Sequence, residues 1–320
     1  MSVEALDALE LHPVRLRMRH RFRRVDHREA VLIRGPAGWG EFSPFPSYPP
    51  TVTARWLASA LESACATLPD PLRDSIEVNV TVPAVDPGLA RRIVSASNCT
   101  TAKVKVAEPG QDEEADLARL AAVREAMGEK GKIRIDANGA WDLETAVARI
   151  TAMARFDLEY VEQPVATIAD MVRLRKEVPV PVAADESVRN EADPLEVVGA
   201  GGADLLILKV QPMGGVARLV DVARRSGLPC VVSSALETSV GMAAGVRAAA
   251  ALPALDHACG LGTVTMLAED VVSDRLEPVA GRILLRRPEP DPGLMAMYRP
   301  SPERAAEMLR KVRAAAELLS

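Results

Sequence analysis

Hydrophobic residues fall along this chain in short runs that stop at a charge, and the runs recur. Beyond residue 75, candidate strands cover 77–82, 102–106, 132–136, 160–162, 182–185, 205–209, 230–233 and, more weakly, 256–260. Near-continuous aliphatic runs of this length suit parallel strands buried on both faces. Between them, 113–127, 143–154, 168–177 and 215–226 carry apolar residues at helical spacing. The polar strand ends fall at 105, 136, 162, 185 and 209, in steps of 31, 26, 23 and 24 residues. Each step fits one βα unit, and about eight units close a (β/α)₈ barrel. A doubly wound sheet is the alternative, but it gathers strand-end charges only at its switch point.

The flanks have a different texture. Residues 11–17 alternate in part, Ala30-Val31-Leu32-Ile33 is apolar, and Gly35-Pro36-Ala37-Gly38 reads as a turn. The prolines of 43–50 forbid a helix or a central strand there. Helical spacing returns over 53–68 through Trp56, Leu57, Ala60, Leu61 and Ala64. The tail predicts a hairpin over 274–285 around Ala280-Gly281, a proline-rich stretch over 288–302 and an Ala-rich amphipathic helix over 303–319. This helix is expected to pack on the barrel or on the N-terminal unit. The boundaries are therefore 1–75 for a small α+β unit, 76–270 for the barrel, and 271–320 for a returning tail.

Composition narrows the class without naming a chemistry. At 320 residues, 48% hydrophobic and 26% charged, the chain is ordinary globular material. A net charge of −5 gives no reason to expect nucleic acid or an anionic membrane as partner. Cys65, Cys99, Cys230 and Cys259 are scattered, so disulfides and a zinc site are not expected and a reducing compartment is. With no secretory signal and no apolar run of membrane length, the expectation is a cytoplasmic protein.

The strand ends carry the chemistry. Asp136, Glu162 and Asp185 are three carboxylates in consecutive βα units, with no histidine or cysteine at equivalent places. Oxygen-only donors suit a hard divalent cation, and three buried carboxylates repel without one. Lys103 and Lys105 are two apart, so both face one side of their strand, with Val104 and Val106 on the other. Two ammonium groups on one face disfavour each other's charge, which predicts a lowered pKa for one of them. Lys209 ends an aliphatic run, where a lysine is costly unless paired or functional.

In order and at βα spacing, these motifs resemble the enolase superfamily over almost the whole chain. The Gly38-Trp39-Gly40-Glu41 stretch is similar to that of its capping domain. The barrel carries Lys103-Val104-Lys105, Asp136-Ala137-Asn138, Glu162-Gln163-Pro164 and Asp185-Glu186-Ser187. Lysines on both sides of the site, with His257 as the only late histidine, resemble the muconate-lactonizing subgroup. The fold this implies is α/β: a TIM-like, enolase-type (β/α) barrel with modified C-terminal strands. Its α+β capping domain is formed by the N-terminal segment and the C-terminal tail.

The resemblance also implies a reaction. Segments 208–215 and 232–241 point to syn dehydration of a succinyl-bearing hydroxycyclohexadiene carboxylate to an aromatic acid in menaquinone biosynthesis. Racemisation of N-succinylamino acids or epimerisation of dipeptides on the same scaffold is one alternative. A binding barrel that has lost catalysis is another, and the intact set of three acids and both bases argues against it. Leu261-Gly262-Thr263 lacks the Asp-x-Asp clamp expected of the epimerases. By resemblance Lys105 is the base, Lys209 the opposing cation, Lys103 the tuner, and Asp136, Glu162 and Asp185 hold Mg²⁺, with Mn²⁺ as a substitute. Arg134 and Asn138 are expected near substrate or the metal shell, and Ser233, Ser234, Gly260 and Gly262 at the succinyl carboxylate. The arginines at 15, 17, 19, 21, 23, 24 and 28 read as a basic loop over a dicarboxylate substrate or as solvated surface. The expected partner is that small molecule, with no nucleic acid and no membrane, and no oligomeric state is implied.

Overall fold

The structure, a computed structural model, describes residues 6–22 and 25–319, the side chains of 20–22 excepted. Strands β1 (Glu10–Phe22), β2 (Val25–Gly35) and β3 (Gly38–Phe42) form an antiparallel sheet in that order. Helix α1 (Pro50–Cys65) packs across it. A Cβ at Gly40 would lie 1.9 Å from the Ala60 carbonyl oxygen, so glycine is what lets β3 lie against α1. The expected basic loop is instead a strand as far as residue 22. Arg15 reaches Glu29, Arg17 reaches Glu269 and Arg19 donates to the Thr265 carbonyl. Arg23, Arg24 and the Arg21 side chain lie outside the described residues.

The strand expected over 77–82 is divided. β4 (Ser75–Glu77) pairs antiparallel with β12 (Arg282–Leu284), and β5 (Val80–Val82) begins the barrel. The hairpin expected over 274–285 is replaced by this pairing, and only a single bridge, Val279 to Arg282, marks its turn. From β5 the parallel sheet runs in sequence order through β6 (Thr101–Lys105), β7 (Lys132–Asp136), β8 (Leu158–Glu162), β9 (Val182–Ala184), β10 (Leu205–Lys209) and β11 (Cys230–Ser233). Connecting helices are α2 (Pro87–Ser97), α3 (Glu113–Met127), α4 (Leu143–Met153) and α5 (Ile168–Leu174). Short turns α6 (Glu186–Arg189), α7 (Glu196–Gly199) and α8 (Val210–Met213) flank β10, and α9 (Val216–Ser226) and α10 (Ser239–Ala251) follow. Side chains of Asp86, Asp112, Asp142, Thr167 and Thr238 accept from first-turn amides and fix where helices begin.

The eighth strand expected over 256–260 shrinks to two residues. Cys259 bridges Val78 and Gly260 bridges Ser233, both in parallel sense. Cys259 donates its amide to the Glu77 carbonyl at 2.7 Å, and Gly260 donates to Val232 at 2.8 Å. Residues 253–258, Pro-Ala-Leu-Asp-His-Ala, offer no β-branched side chain to sustain a longer strand. Along the strands, outward Val104, Ile135, Val161, Leu206, Leu208 and Val232 join the core beneath the helices. Inward Tyr160, Ala183, Leu205, Ile207 and Val231 form a small separate cluster inside the barrel. After α11 (Pro292–Met297), the tail helix α12 (Pro302–Ala316) sets Met308, Val312 and Ala315 into the core of the N-terminal sheet. Among the described residues no helix is long and apolar enough to cross a membrane.

The sheet is joined to the barrel by a buried carboxylate. Glu41 of β3 accepts from the Thr238 amide (3.1 Å), the Thr238 hydroxyl (2.5 Å), the Gly241 amide (2.9 Å) and the Ser43 hydroxyl (2.7 Å). It therefore caps α10 from outside the barrel. Burial, reinforced by Glu237 beside it, pushes Glu41 up to about 7, against these hydrogen bonds. Between about pH 4.5 and 7 the folded chain keeps a proton that the unfolded chain has lost. Stability from this group therefore falls as pH rises through that window, by roughly 3 kcal/mol in all. Melting curves across it should slope less steeply for Glu41→Gln than for the wild type; equal slopes would contradict the assignment.

Candidate active site

Register sets the site. Lys105 stands opposite Asp136, Asp136 opposite Glu162, and Glu162 opposite Ala183. Lys209 stands opposite Ser233, which bridges Gly260. Asp185 lies two residues beyond Ala183 and so shares its face. The C-terminal mouth of the barrel thus collects the predicted acids and bases on successive inward positions, with Lys103 one position deeper beside Arg134, all buried. This is the face on which barrel enzymes carry their chemistry.

Each carboxylate is held by an ammonium. Lys103 donates to both oxygens of Glu162, at 3.1 and 2.9 Å, and lies 3.4 Å from Asp136. Lys105 donates to Asp136, and to the side-chain Oδ1 of Asn138 at 2.7 Å. Lys209 pairs with Asp185, whose other oxygen accepts from Arg189 Nε at 3.0 Å. As placed, no three His, Cys, Asp or Glu side chains among the described residues form a ready metal cluster. The ammonium groups take the carboxylate oxygens instead.

The electrostatics follow from burial and neighbours. Burial alone would lower Lys103, but Glu162 and Asp136 outweigh it and hold Lys103 above its ordinary value. The depressed lysine expected from two adjacent ammonium groups is therefore not Lys103. Burial would raise Asp136, yet Lys105 and Lys103 keep it below the usual carboxylate range. Glu162 is pushed up to about 7 by burial and then by the charge of Asp136, with Asp185 adding to it. The three acids are thus close enough to oppose one another's ionisation, the condition an oxygen-seeking divalent cation relieves.

The motif residues around them serve as braces. Asn138, at φ 49°, donates its amide to Asp136 (3.1 Å) and its side chain to Glu186 (3.3 Å). Gln163 accepts from the amides of Asp185 and Ser187, both at 3.0 Å, and so ties the end of β8 to the end of β9. Arg134 departs from expectation. It lies one inward position deeper than Asp136, fully buried, bonded to Glu159 (2.6 Å), Asn79 (3.2 Å) and the Ala258 carbonyl (2.7 Å). Its guanidinium rests 4.7 Å from the centre of the Tyr160 ring. His257 bonds Glu159 at 2.9 Å beside it, in a packed role.

A narrow cavity of about 30 Å³ opens on the lysines, lined also by Phe45, Thr81, Ser233, Ser234, Ala235, Leu236, Gly260 and Thr263. Both serine hydroxyls donate to the Gly260 carbonyl, and Ser234 Oγ lies 2.6 Å from Thr263 Oγ. The Gly260 amide is spent on Val232, and a Cβ there would stand 2.4 Å from Ser233 Oγ. That glycine thus serves close approach instead of the expected donation. Gly262 does not line the cavity; a Cβ on it would meet the Asn79 carbonyl at 3.1 Å. Thr81 is legible as the inward strand residue paired with Lys103; Phe45, in a proline-rich loop, has no such signal. A larger cavity of about 560 Å³ lies elsewhere, against α10 and the β2–β3 turn. The acids and lysines are absent from its walls.

Residues 88–300 match the enolase C-terminal domain-like family, and residues 14–64 the enolase N-terminal domain-like family. The o-succinylbenzoate synthase of Thermobifida fusca is 53% identical over 300 residues, covering 94% of this chain and 95% of that protein. That of Mycobacterium tuberculosis is 47% identical over 318 residues, covering 98% and 96%. In fold, the chain is similar to muconate lactonizing enzyme from Pseudomonas fluorescens, with TM-score 0.79 at 21% identity over 91% of this chain and 98% of that one. The L-Ala-D/L-Glu epimerase of Bacillus subtilis gives 0.73 at 23%, over 88% and 96%. The chain belongs to the enolase superfamily and, within it, to the o-succinylbenzoate synthases.

Proposed function

We propose that this chain forms o-succinylbenzoate by a lysine-driven syn dehydration, with Lys105 as the group that moves the proton. The observation that carries the reading is the cluster of three lysines paired with three carboxylates at the mouth of the barrel. A neutral Lys105, released from Asp136, takes the proton from the ring carbon next to the carboxylate. The C–H electron pair enters the carboxylate as an enediolate. The same ammonium returns the proton to the departing hydroxyl, the C–O bond breaks, water leaves, and the ring becomes aromatic. Lys103, held as a cation by Glu162 and Asp136, disfavours a second ammonium beside it and thereby favours the basic form of Lys105. Lys209 faces the site from β10, where its charge opposes the developing anion.

Asp136, Glu162 and Asp185 are the residues that would hold Mg²⁺, with Mn²⁺ able to replace it. When bound, the ion supplies positive charge to the carboxylate oxygens of the substrate. Their fit rests on the oxygen-only donor set and on the mutual opposition of the three acids. Asn138 holds Asp136 by its amide and Lys105 by its side chain, so it would keep both aligned. Arg134 is read as a support beneath this layer. Ser233 and Ser234, joined by Thr263, would anchor the succinyl carboxylate through hydroxyls turned from the Gly260 carbonyl. The four unpaired thiols suit a reducing compartment, and we read the enzyme as cytoplasmic.

Chelation with EDTA should abolish dehydration, and Mg²⁺ should restore it together with a rise in melting temperature. Glu162→Gln should lose that thermal response; full turnover after chelation would contradict the metal assignment. Lys209→Ala should lower kcat by about a hundredfold or more, as loss of a charge aimed at the transition state does. An unchanged kcat with a raised KM would instead make Lys209 a binding residue.

A further inference from the structure

Arg28 belongs to β2 of the N-terminal sheet, yet its guanidinium spans the joint with the barrel and is 2% exposed. Nε donates to the Leu236 carbonyl at 3.0 Å. Nη2 donates to the Ala235 carbonyl at 3.2 Å and to the Ser43 carbonyl at 2.5 Å. Its central carbon lies 4.3 Å from the centre of the Phe45 ring. Phe45, Ala235 and Leu236 are the residues that wall the cavity beside Ser233 and Ser234. Leu236 has φ 65°, a backbone state that a branched side chain adopts only when its surroundings impose it. Arg28 grips the carbonyl of that residue. Gln211, two residues past Lys209, accepts from the Ser43 amide at 3.1 Å and donates to its hydroxyl at 3.0 Å, holding the same loop from the barrel side.

We propose that Arg28 is a positioning residue for the dehydration: it clamps Phe45 of the N-terminal unit against Ala235–Leu236 of the barrel and so sets the wall that meets the substrate. This rests on the placement of substrate over Lys105 and Lys209 with its succinyl arm toward Ser233 and Ser234. One planar fork serves three carbonyls while its face carries a ring, and a lysine offers neither the fork nor the face. The wall shares its small cavity with Asp136, Lys105 and Lys209. Arg28 acts on it through backbone carbonyls and the Phe45 ring, so it governs how substrate is seated and leaves proton transfer to Lys105.

The test is steady-state kinetics on Arg28→Met, Arg28→Lys and Phe45→Ala, with near-ultraviolet circular dichroism confirming the fold. Arg28→Met should raise KM by about tenfold or more while kcat stays within about threefold, the pattern of lost seating. Arg28→Lys should recover only a small part of that KM. Should Arg28→Met fail to fold, Phe45→Ala disturbs the same wall without stranding the carbonyls, and should show the same split. An unchanged KM in a folded variant, or a fall of kcat with KM unchanged, would overturn the proposal. Failure of the underlying reaction scheme would appear separately, as a wild-type enzyme that does not dehydrate the ring substrate.

Discussion

Everything at the mouth of this barrel depends on neutralising three buried carboxylates. Asp136, Glu162 and Asp185 sit on neighbouring strands with almost no access to water. Removing one member of a buried ion pair leaves an uncompensated charge at a cost of about 3–5 kcal/mol. Lys103, Lys105 and Lys209 meet that demand one to one, with Arg189 as a second donor to Asp185. Stability and chemistry thus draw on the same groups. A cation gathered by the acids would compete with the lysines for carboxylate oxygens and leave their ammonium groups facing substrate.

The parallel sheet delivers the cluster, but it does not finish the site. Its closing segment is only Cys259 and Gly260, pressed so near β11 that glycine is required. That economy frees the loops after β11, residues 234–238, to be shaped by the N-terminal sheet. Glu41 caps α10 through Thr238 and Gly241, and Arg28 holds Ala235 and Leu236. The N-terminal unit therefore contributes to the site mainly by fixing barrel backbone. This is why its buried charges matter although none stands among the acids and lysines.

The barrel was legible in the sequence because buried parallel strands are written as aliphatic runs, and inward residues fall at every second place. Lys103 with Lys105, and Asp136, Glu162, Asp185 and Lys209, follow from that period alone. Features made by contacts distant in sequence were not. Residues 77–82 divide because β12, some two hundred positions later, captures Ser75–Glu77. Arg134 has the same inward parity as Asp136, and parity does not tell a cavity wall from the layer below it. Phe45 and Leu236 line the cavity through a proline-rich loop and a left-handed backbone, neither of which carries a periodic signal. The arginines at 15, 17, 19 and 21 alternate with Val14, Leu16, Met18 and Phe22, the period of a strand that pairing with β2 completes; a reading by charge alone passed over that period.

The most direct measurement is o-succinylbenzoate formation by Lys105→Ala, in protein whose melting curve and Mg²⁺ response match the wild type. With Lys105 as the proton carrier, product should not rise above the uncatalysed background, while substrate still binds. Turnover near the wild-type rate in that variant would show that another group moves the proton.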